Sequence, residues 1–387
     1  MIAAAFLRRA LALPLLALLL AGCATPGPDA GPPELAPSAT ACPKGTPEGA
    51  RCWRGQDSVG AHVLLVMPAQ WSGVLVVHAH GGPTLGEPKA SRADEDIARW
   101  GLTVQLGHAW AASVFRQGGV AVVSAAEDTE RVRRMFVQHV AQPRRTLLHG
   151  QSWGGMVAAR AAELYPRSWD GVLLTSGVLG GARSYDFRLD LRAVYQALCN
   201  NHPRPDEPAY PLWMGLPAES KLTRAELATR VDDCLGVRKR PEQRTPEQAA
   251  KLKTLVDIIR IPESSVLGHL NWATWHFQDI AMRRTGGGNP FDNHRVQYRG
   301  SSDDTALNAR VPRYRADPAA QARLAADLSP TGRIAVPVLT THGIGDATAF
   351  VELQHAFRLT KAAAGRADHL VQTYVDSREH SYLGDAT

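Results

Sequence analysis

Short apolar runs alternating with helical patterns predict an α/β fold: a mostly parallel sheet with helices on both faces and a large, mainly helical cap insertion. Three observations carry that reading. Strand-like apolar runs bounded by turns recur along the chain, helical segments separate them, and one long stretch of different texture interrupts the alternation.

The elements follow in order. His62–Met67 and Val74–His78 flank Ser72-Gly73, which reads as a tight turn, so these two runs are expected to pair as a hairpin and give the sheet an antiparallel edge. Ala93–Gln117 reads as one long helix, Val120–Ser124 as a strand and Glu127–Gln142 as a second helix. Thr146–His149 is a short strand. Trp153–Tyr165 is Ala-rich and helical, and Pro166 stops it. Gly171–Ser176, Val336–Thr341 and Leu370–Val375 are the remaining strands, with a helix over Phe350–Ala363.

The interruption, residues 182–333, holds helical patches at Leu222–Val231 and Gln248–Ile259, a proline cluster from Pro203 to Pro211, and Gly286-Gly287-Gly288-Asn289-Pro290. Its place between two sheet strands makes it a cap or lid; the plain alternative is a separate domain unconnected with any site. Trp272, Trp275 and Phe277 fall in an expected cap helix, where aromatics at this spacing more often mark core than substrate wall. Residues 42–181 and 334–387 form the expected core.

Arg8 and Arg9 precede an apolar run, Ala10–Leu20, whose 11 residues fall short of the roughly 20 needed to cross a bilayer. The run fits the apolar part of a secretory signal, residues 1–22. It ends Leu20-Ala21-Gly22-Cys23, which resembles the bacterial lipobox. That resemblance implies cleavage before Cys23 and a lipid on its thiol, hence a lipid anchor to a membrane of the bacterial cell envelope. Ala24, where lipoproteins of the inner membrane often carry Asp, points to the outer membrane facing the periplasm. Residues 23–41 are rich in Pro, Ala and Gly and read as a tether.

A hydrophobic share of 44% supports a sizeable core. The net charge of +6 includes Arg8 and Arg9, and no basic stripe is interleaved with aromatics, so the sequence does not read as a nucleic-acid binder. Five cysteines become four once Cys23 is lipidated. These fall as two local pairs, Cys42 with Cys52 and Cys199 with Cys234, which an oxidising compartment favours as disulfides, although four cysteines allow three connectivities. No C-x-x-C spacing suggests a zinc ribbon or a redox motif.

Gly150-Gln151-Ser152-Trp153-Gly154-Gly155 contains G-x-S-x-G between an expected strand and an expected helix. A serine there sits on a tight strained turn with its hydroxyl pushed clear of the sheet, and side chains at Gly150 and Gly154 would collide across it. In this context the chain resembles an α/β-hydrolase over about residues 60–180 and 333–382, with the cap outside the match. The resemblance implies a triad in the chain order Ser, acid, His. Asp346 stands in the loop after Val336–Thr341, where the family carries its acid, and His380 in the loop after the last strand, where it carries its base. His369 precedes that strand. Asp376 and Glu379 are too near His380 in sequence to orient it easily. The Gly-rich loop His80-Gly81-Gly82-Pro83 implies an oxyanion hole from the backbone N–H groups of Gly82 and Trp153. His78 and His80 share a strand face, but no third ligand at sensible spacing accompanies them, so neither a metal nor another cofactor is expected. Seven residues follow His380, where many relatives carry a final helix. Either the chain is truncated or the fold closes without that helix, leaving the last strand less covered.

These features lead to the expectation of a serine hydrolase cleaving a carboxylic ester through an acyl-enzyme, with a small-molecule ester or short peptide as substrate. His80-Gly81-Gly82-Pro83 and Ser152-Trp153-Gly154 are also similar to motifs of proline iminopeptidases, though Thr84 stands where that pattern continues with Gly and no single cap acid is picked out to bind a substrate amine. A non-catalytic binding lipoprotein is the third reading.

Overall fold

The computed structural model describes residues 32–381. The signal segment, Cys23, the first part of the tether and residues 382–387 lie outside the described residues. Strands are β1 (Ser38–Thr40), β2 (Arg51–Gln56), β3 (His62–Met67), β4 (Val74–Ala79), β5 (Ala109–Ser113), β6 (Arg145–Gln151), β7 (Gly171–Thr175), β8 (Val338–Gly343) and β9 (Leu370–Val375). They form one sheet in the order β1-β2-β3-β5-β4-β6-β7-β8-β9. Pairing is antiparallel from β1 through β3 to β5, and parallel from β5 to β9.

Helices α1 (Arg92–Trp100), α2 (Leu102–Gln105), α3 (Val122–His139) and α4 (Gly154–Leu164) belong to the core. The stretch between β7 and β8 is the helical insertion, with α5 (Asp186–Cys199), α6 (Arg224–Leu235), α7 (Pro246–Ile259), α8 (Val266–Asp279), α9 (Asp304–Arg310) and α10 (Pro318–Leu328). α11 (Glu352–Ala363) then precedes β9. Local chemistry starts several of these. Thr223 with Glu226 and Thr245 with Gln248 form capping boxes at α6 and α7, and Pro246 opens α7 where no N–H is needed. No helix among the described residues is long and apolar enough to cross a membrane.

Three local expectations are corrected. β3 and β4 do not pair as a hairpin, because β5 lies between them. β5 itself falls inside the stretch read as one long helix. Its sequence, Ala-Trp-Ala-Ala-Ser, has few β-favouring side chains, and burial of all five residues between two strands overrides that preference. Val120–Ser124 is not a strand but the approach to α3 and its first turn. A short buried apolar run has no periodicity to tell strand from helix. The helix start is fixed from afar: the Asp327 carboxylate on α10 accepts the N–H groups of Val122 (3.3 Å) and Val123 (2.8 Å).

The expected tether over residues 23–41 is corrected from residue 32 onward. The Glu34 carboxylate is buried, accepts the Ser58 N–H (2.8 Å) and pairs with Arg134. The Glu34 backbone is also held, its N–H donating to Gln138 (2.8 Å) and its carbonyl accepting from His139 Nε2 (2.9 Å). Ser38–Thr40 then add the edge strand. Polar and backbone contacts centred on Glu34, rather than apolar area, anchor this segment, so its Pro-rich composition gave no sign of it.

Both local disulfides are present. Cys42–Cys52 ties the segment after β1 to β2, and Cys199–Cys234 ties the end of α5 to α6. The second closes the larger loop and restricts the unfolded chain by about 3 to 4 kcal/mol in the entropy model.

Glu34→Ala leaves Arg134 without its buried partner. It is expected to destabilise the fold by roughly 3 kcal/mol and to open residues 32–40 to proteolysis before the core is cut. Limited proteolysis with N-terminal sequencing checks this; cleavage at the wild-type rate would show that Glu34 does not hold the segment.

Candidate active site

The site is built on the turn between β6 and α4. Ser152 has φ +56°, a left-handed conformation that a residue with a side chain adopts at a cost of about 1 to 3 kcal/mol. The surroundings over-determine it. The Ser152 N–H donates to the Thr175 carbonyl (2.9 Å), and the Ser152 carbonyl accepts from Gly155 and Val178 (2.9 Å each). A Cβ on Gly154 would lie 2.0 Å from the Ala79 carbonyl oxygen, and one on Gly150 would lie 2.4 Å from that of Gly154. Both glycines are therefore required by close backbone approach, and the end of β4 is locked against the start of α4.

The three residues expected to form a triad come together. Ser152 Oγ lies 2.7 Å from His380 Nε2, and His380 Nδ1 lies 2.7 Å from Asp346 Oδ2. Asp346 is buried, and its other oxygen accepts the N–H groups of Thr348 (2.8 Å) and Ala349 (3.1 Å). The loops after β8 and β9 are laced together by Ile344 N–H to the Val375 carbonyl and Gly345 N–H to the Ser377 carbonyl, both 2.9 Å. That lacing sets the distance between acid and base. Asp376 is exposed, and His369 sits before β9, away from the triad loop.

Gly82 and Trp153, the expected oxyanion donors, both wall a cavity of about 80 Å³ that includes Ser152. Gly82 has φ +152°, and a Cβ there would meet the Thr84 nitrogen at 2.9 Å. The N–H of neither residue is taken by a carbonyl or side chain among the described residues. Trp153 is the residue before α4, so its N–H points from the positive end of that helix. His78 and His80 are not arranged for metal binding. His78 Nδ1 faces His149 Nδ1 at 2.9 Å, and His80 stacks on Phe115 at 4.2 Å. No group of three candidate ligand side chains occurs among the described residues.

The insertion adds Ser184, Tyr185, Phe187, Arg188 and Trp272 to the cavity wall, and Pro83, Val178, Thr348, Phe350 and Leu353 of the core complete it. Helix α8 fastens the insertion to the core at two points beside the site. His269 Nε2 donates to the Ala347 carbonyl (2.8 Å) beside the acid, and His276 Nε2 donates to the Pro83 carbonyl (3.0 Å) beside the oxyanion loop. Burial lowers the two imidazole pKa values to about 3 and about 4, so both are neutral donors at pH 7. The aromatic cluster divides. Trp272 stacks on Tyr185 at 4.4 Å and faces the cavity, whereas Phe277 is buried core, stacked on Phe291 at 4.1 Å. Sequence reasoning missed Arg188, His269 and His276 because nothing local distinguishes them from ordinary cap residues.

His276 has a pH signature. Its folded pKa is depressed, so the unfolded chain binds the proton more tightly and the stability of the neutral, clamped form is lost as pH falls below about 6.5. His276→Asn removes that term. The stability gap between wild type and variant is expected to narrow by about 1.4 kcal/mol per pH unit between pH 6.5 and pH 4. Urea titrations of both proteins at pH 7, 6 and 5 measure this, since other titrating groups are common to the pair; a gap that does not change with pH would contradict it.

No family model and no curated protein matches the chain. Similar solved structures include an acylaminoacyl peptidase from Pyrococcus horikoshii, with 11% identity and a TM-score of 0.42 over 86% of this chain. This chain spans only 38% of that peptidase. A membrane phospholipase A described as a bacterial virulence factor has 13% identity and a TM-score of 0.40, over 87% of this chain and 81% of the other. The rice cell wall degrading esterase LipA from Xanthomonas oryzae, bound to a ligand, has 14% identity and a TM-score of 0.40, over 86% and 85%. The strand order, the left-handed serine turn between β6 and α4, and the succession Ser152, Asp346, His380 give this chain the α/β-hydrolase fold.

Proposed function

We propose that the protein is a serine hydrolase that cleaves carboxylic esters through an acyl-enzyme. The observation that carries this reading is the continuous chain from Ser152 Oγ through His380 to a buried Asp346, each link 2.7 Å. His380 Nε2 takes the Ser152 proton as Oγ attacks the substrate carbonyl. Negative charge gathers on the carbonyl oxygen, where the N–H groups of Gly82 and Trp153 stabilise it. The bond to the leaving oxygen breaks as His380 returns the proton to it. Water then enters, gives its proton to His380 and attacks the acyl carbon, and Ser152 recovers its proton as the acid leaves. Asp346 fixes the imidazole tautomer and stabilises its cation.

The cavity wall favours an ester over an aminopeptidase substrate. An aminopeptidase needs an acidic group for the substrate ammonium, whereas the charged residue on this wall is Arg188. The polar relay also favours catalysis over simple binding, because a binding pocket has no need of a strained serine aligned on a histidine.

Ser152→Ala is expected to abolish ester hydrolysis and fluorophosphonate labelling while the protein still folds. Asp346→Asn should lower kcat roughly 10⁴-fold, and Asp376→Asn should stay close to wild type. Turnover of acyl esters beside prolyl and alanyl anilides reads all of these. Near wild-type hydrolysis by Ser152→Ala would remove the assignment, and faster anilide cleavage would move it to a peptidase.

We also propose that Cys23 carries a lipid that holds the protein on the bacterial outer membrane facing the periplasm. Leu20-Ala21-Gly22-Cys23 at the end of an apolar run supports this. In bacteria, Cys23→Ser should no longer pellet with membranes or incorporate labelled fatty acid. Retained label in that variant would place the anchor elsewhere.

A further inference from the structure

The cavity beside Ser152 contains a charge that the hydrolytic relay does not use. Arg188, on the first turn of α5, is 6% exposed, and the guanidinium pairs with no carboxylate among the described residues. A guanidinium carries five N–H donors in one plane. Among the described residues one hydrogen bond uses them, from a terminal nitrogen to the Ser184 carbonyl at 3.2 Å. Arg188 Nε and Ser184 Oγ are both buried without a hydrogen-bond partner among the described residues. Aromatic rings cover the guanidinium, with Trp272 at 4.4 Å and Phe187 at 4.5 Å from its carbon. Such contacts stabilise a cation but leave its in-plane donors unanswered. Burial lowers the Arg188 pKa to about 10, which leaves it charged at neutral pH. Leaving a buried charge without an opposite partner is strongly destabilising. A cation kept in that state on the wall of a reaction cavity is matched by a ligand that brings the missing anion.

The kind of anion follows from the cavity. Its volume is about 80 Å³, and Arg188 is the charged residue among its lining. One planar fork without a second cation suits a carboxylate, which it binds through two parallel hydrogen bonds. The side of the substrate follows from His380. The leaving oxygen must reach His380 Nε2 to be protonated, and His380 lies behind Ser152 rather than among the residues that line this cavity with Gly82 and Trp153. The group held here is therefore the acyl part. We propose that Arg188 binds a carboxylate at the far end of the acyl chain, so that the favoured substrates are hemiesters of short dicarboxylic acids. This inference rests on the serine hydrolase reading for its turnover arm and on the cavity alone for its binding arm.

The test pairs a charged ligand with a neutral one of the same shape. By calorimetry on the full-length protein, succinate should bind at least about tenfold more tightly than succinamide, and Arg188→Met should remove the difference. Equal binding of the two by wild type overturns the proposal, whether or not the protein hydrolyses anything. In turnover, benzyl hemisuccinate should exceed benzyl levulinate in kcat/KM by about 30-fold or more in wild type, with the ratio falling about 10²-fold in Arg188→Met. The ratio is the readout because a merely structural loss lowers both esters alike. An unchanged ratio in Arg188→Met, or a wild-type preference for levulinate, overturns the proposal. If Arg188→Met does not fold, the two wild-type comparisons decide. Failure of fluorophosphonate labelling and of all ester turnover, with succinate still preferred over succinamide, would instead remove the hydrolase reading and leave the carboxylate site standing.

Discussion

The left-handed turn at Ser152 is the constraint on which the rest of the site depends. It is held by backbone hydrogen bonds to Thr175 and Val178 in and after β7 and by close packing of Gly154 on the Ala79 carbonyl. Those contacts place three things at once. The hydroxyl stands clear of the sheet, the start of α4 aims the Trp153 N–H at the same space, and the loop after β4 is brought alongside with Gly82. A strained serine costs stability, and interiors packed this closely are what keep it from relaxing. The acid and base are then positioned separately, by lacing the loops after β8 and β9 to each other.

The insertion works differently. Its own core is apolar, with Leu227, Leu252, Leu255, Leu270 and Phe277 buried. Its seat over the nucleophile adds directed polar ties to apolar contact such as Phe187 on Phe350 at 4.6 Å. Two neutral histidines on α8 donate to carbonyls on the oxyanion and acid loops, and Asp279 accepts the Val120 N–H at 2.7 Å. Hydrogen bonds of this type each contribute about 1 kcal/mol net, but they fix direction in a way that apolar contact does not. The cap is thereby registered on the two loops that must not drift relative to each other. The same element brings Trp272 against Tyr185 and Arg188, so the cavity wall and the two histidine ties share one helix.

How much of this was legible in the sequence divides by distance. The Ser152 turn reads directly, because its strand, its glycines and its helix are contiguous. Asp346 and His380 read through the chain order that this fold imposes, and the structure brings both within 2.7 Å of their partners. The failures all lie where a distant partner overrides local preference. β5 is an Ala-rich segment made into a strand by neighbours on both sides, and the first turn of α3 is capped by Asp327, more than 200 residues away. Residues 32–40 look like linker because what docks them is one glutamate and backbone hydrogen bonds rather than apolar side chains.

Arg188 belongs with those failures, and the reason is physical. In sequence it is one arginine at the start of an amphipathic helix, where the default is a solvated side chain. What changes its meaning is enclosure by Tyr185, Phe187 and Trp272, the last of them 84 residues further along the chain. Enclosure removes water, and without water the count of unanswered donors becomes an energetic fact. A triad is recognised from residues that must point at one another. The proposed role of Arg188 is read from a partner missing among the described residues, and that absence exists only once the cavity around it has formed.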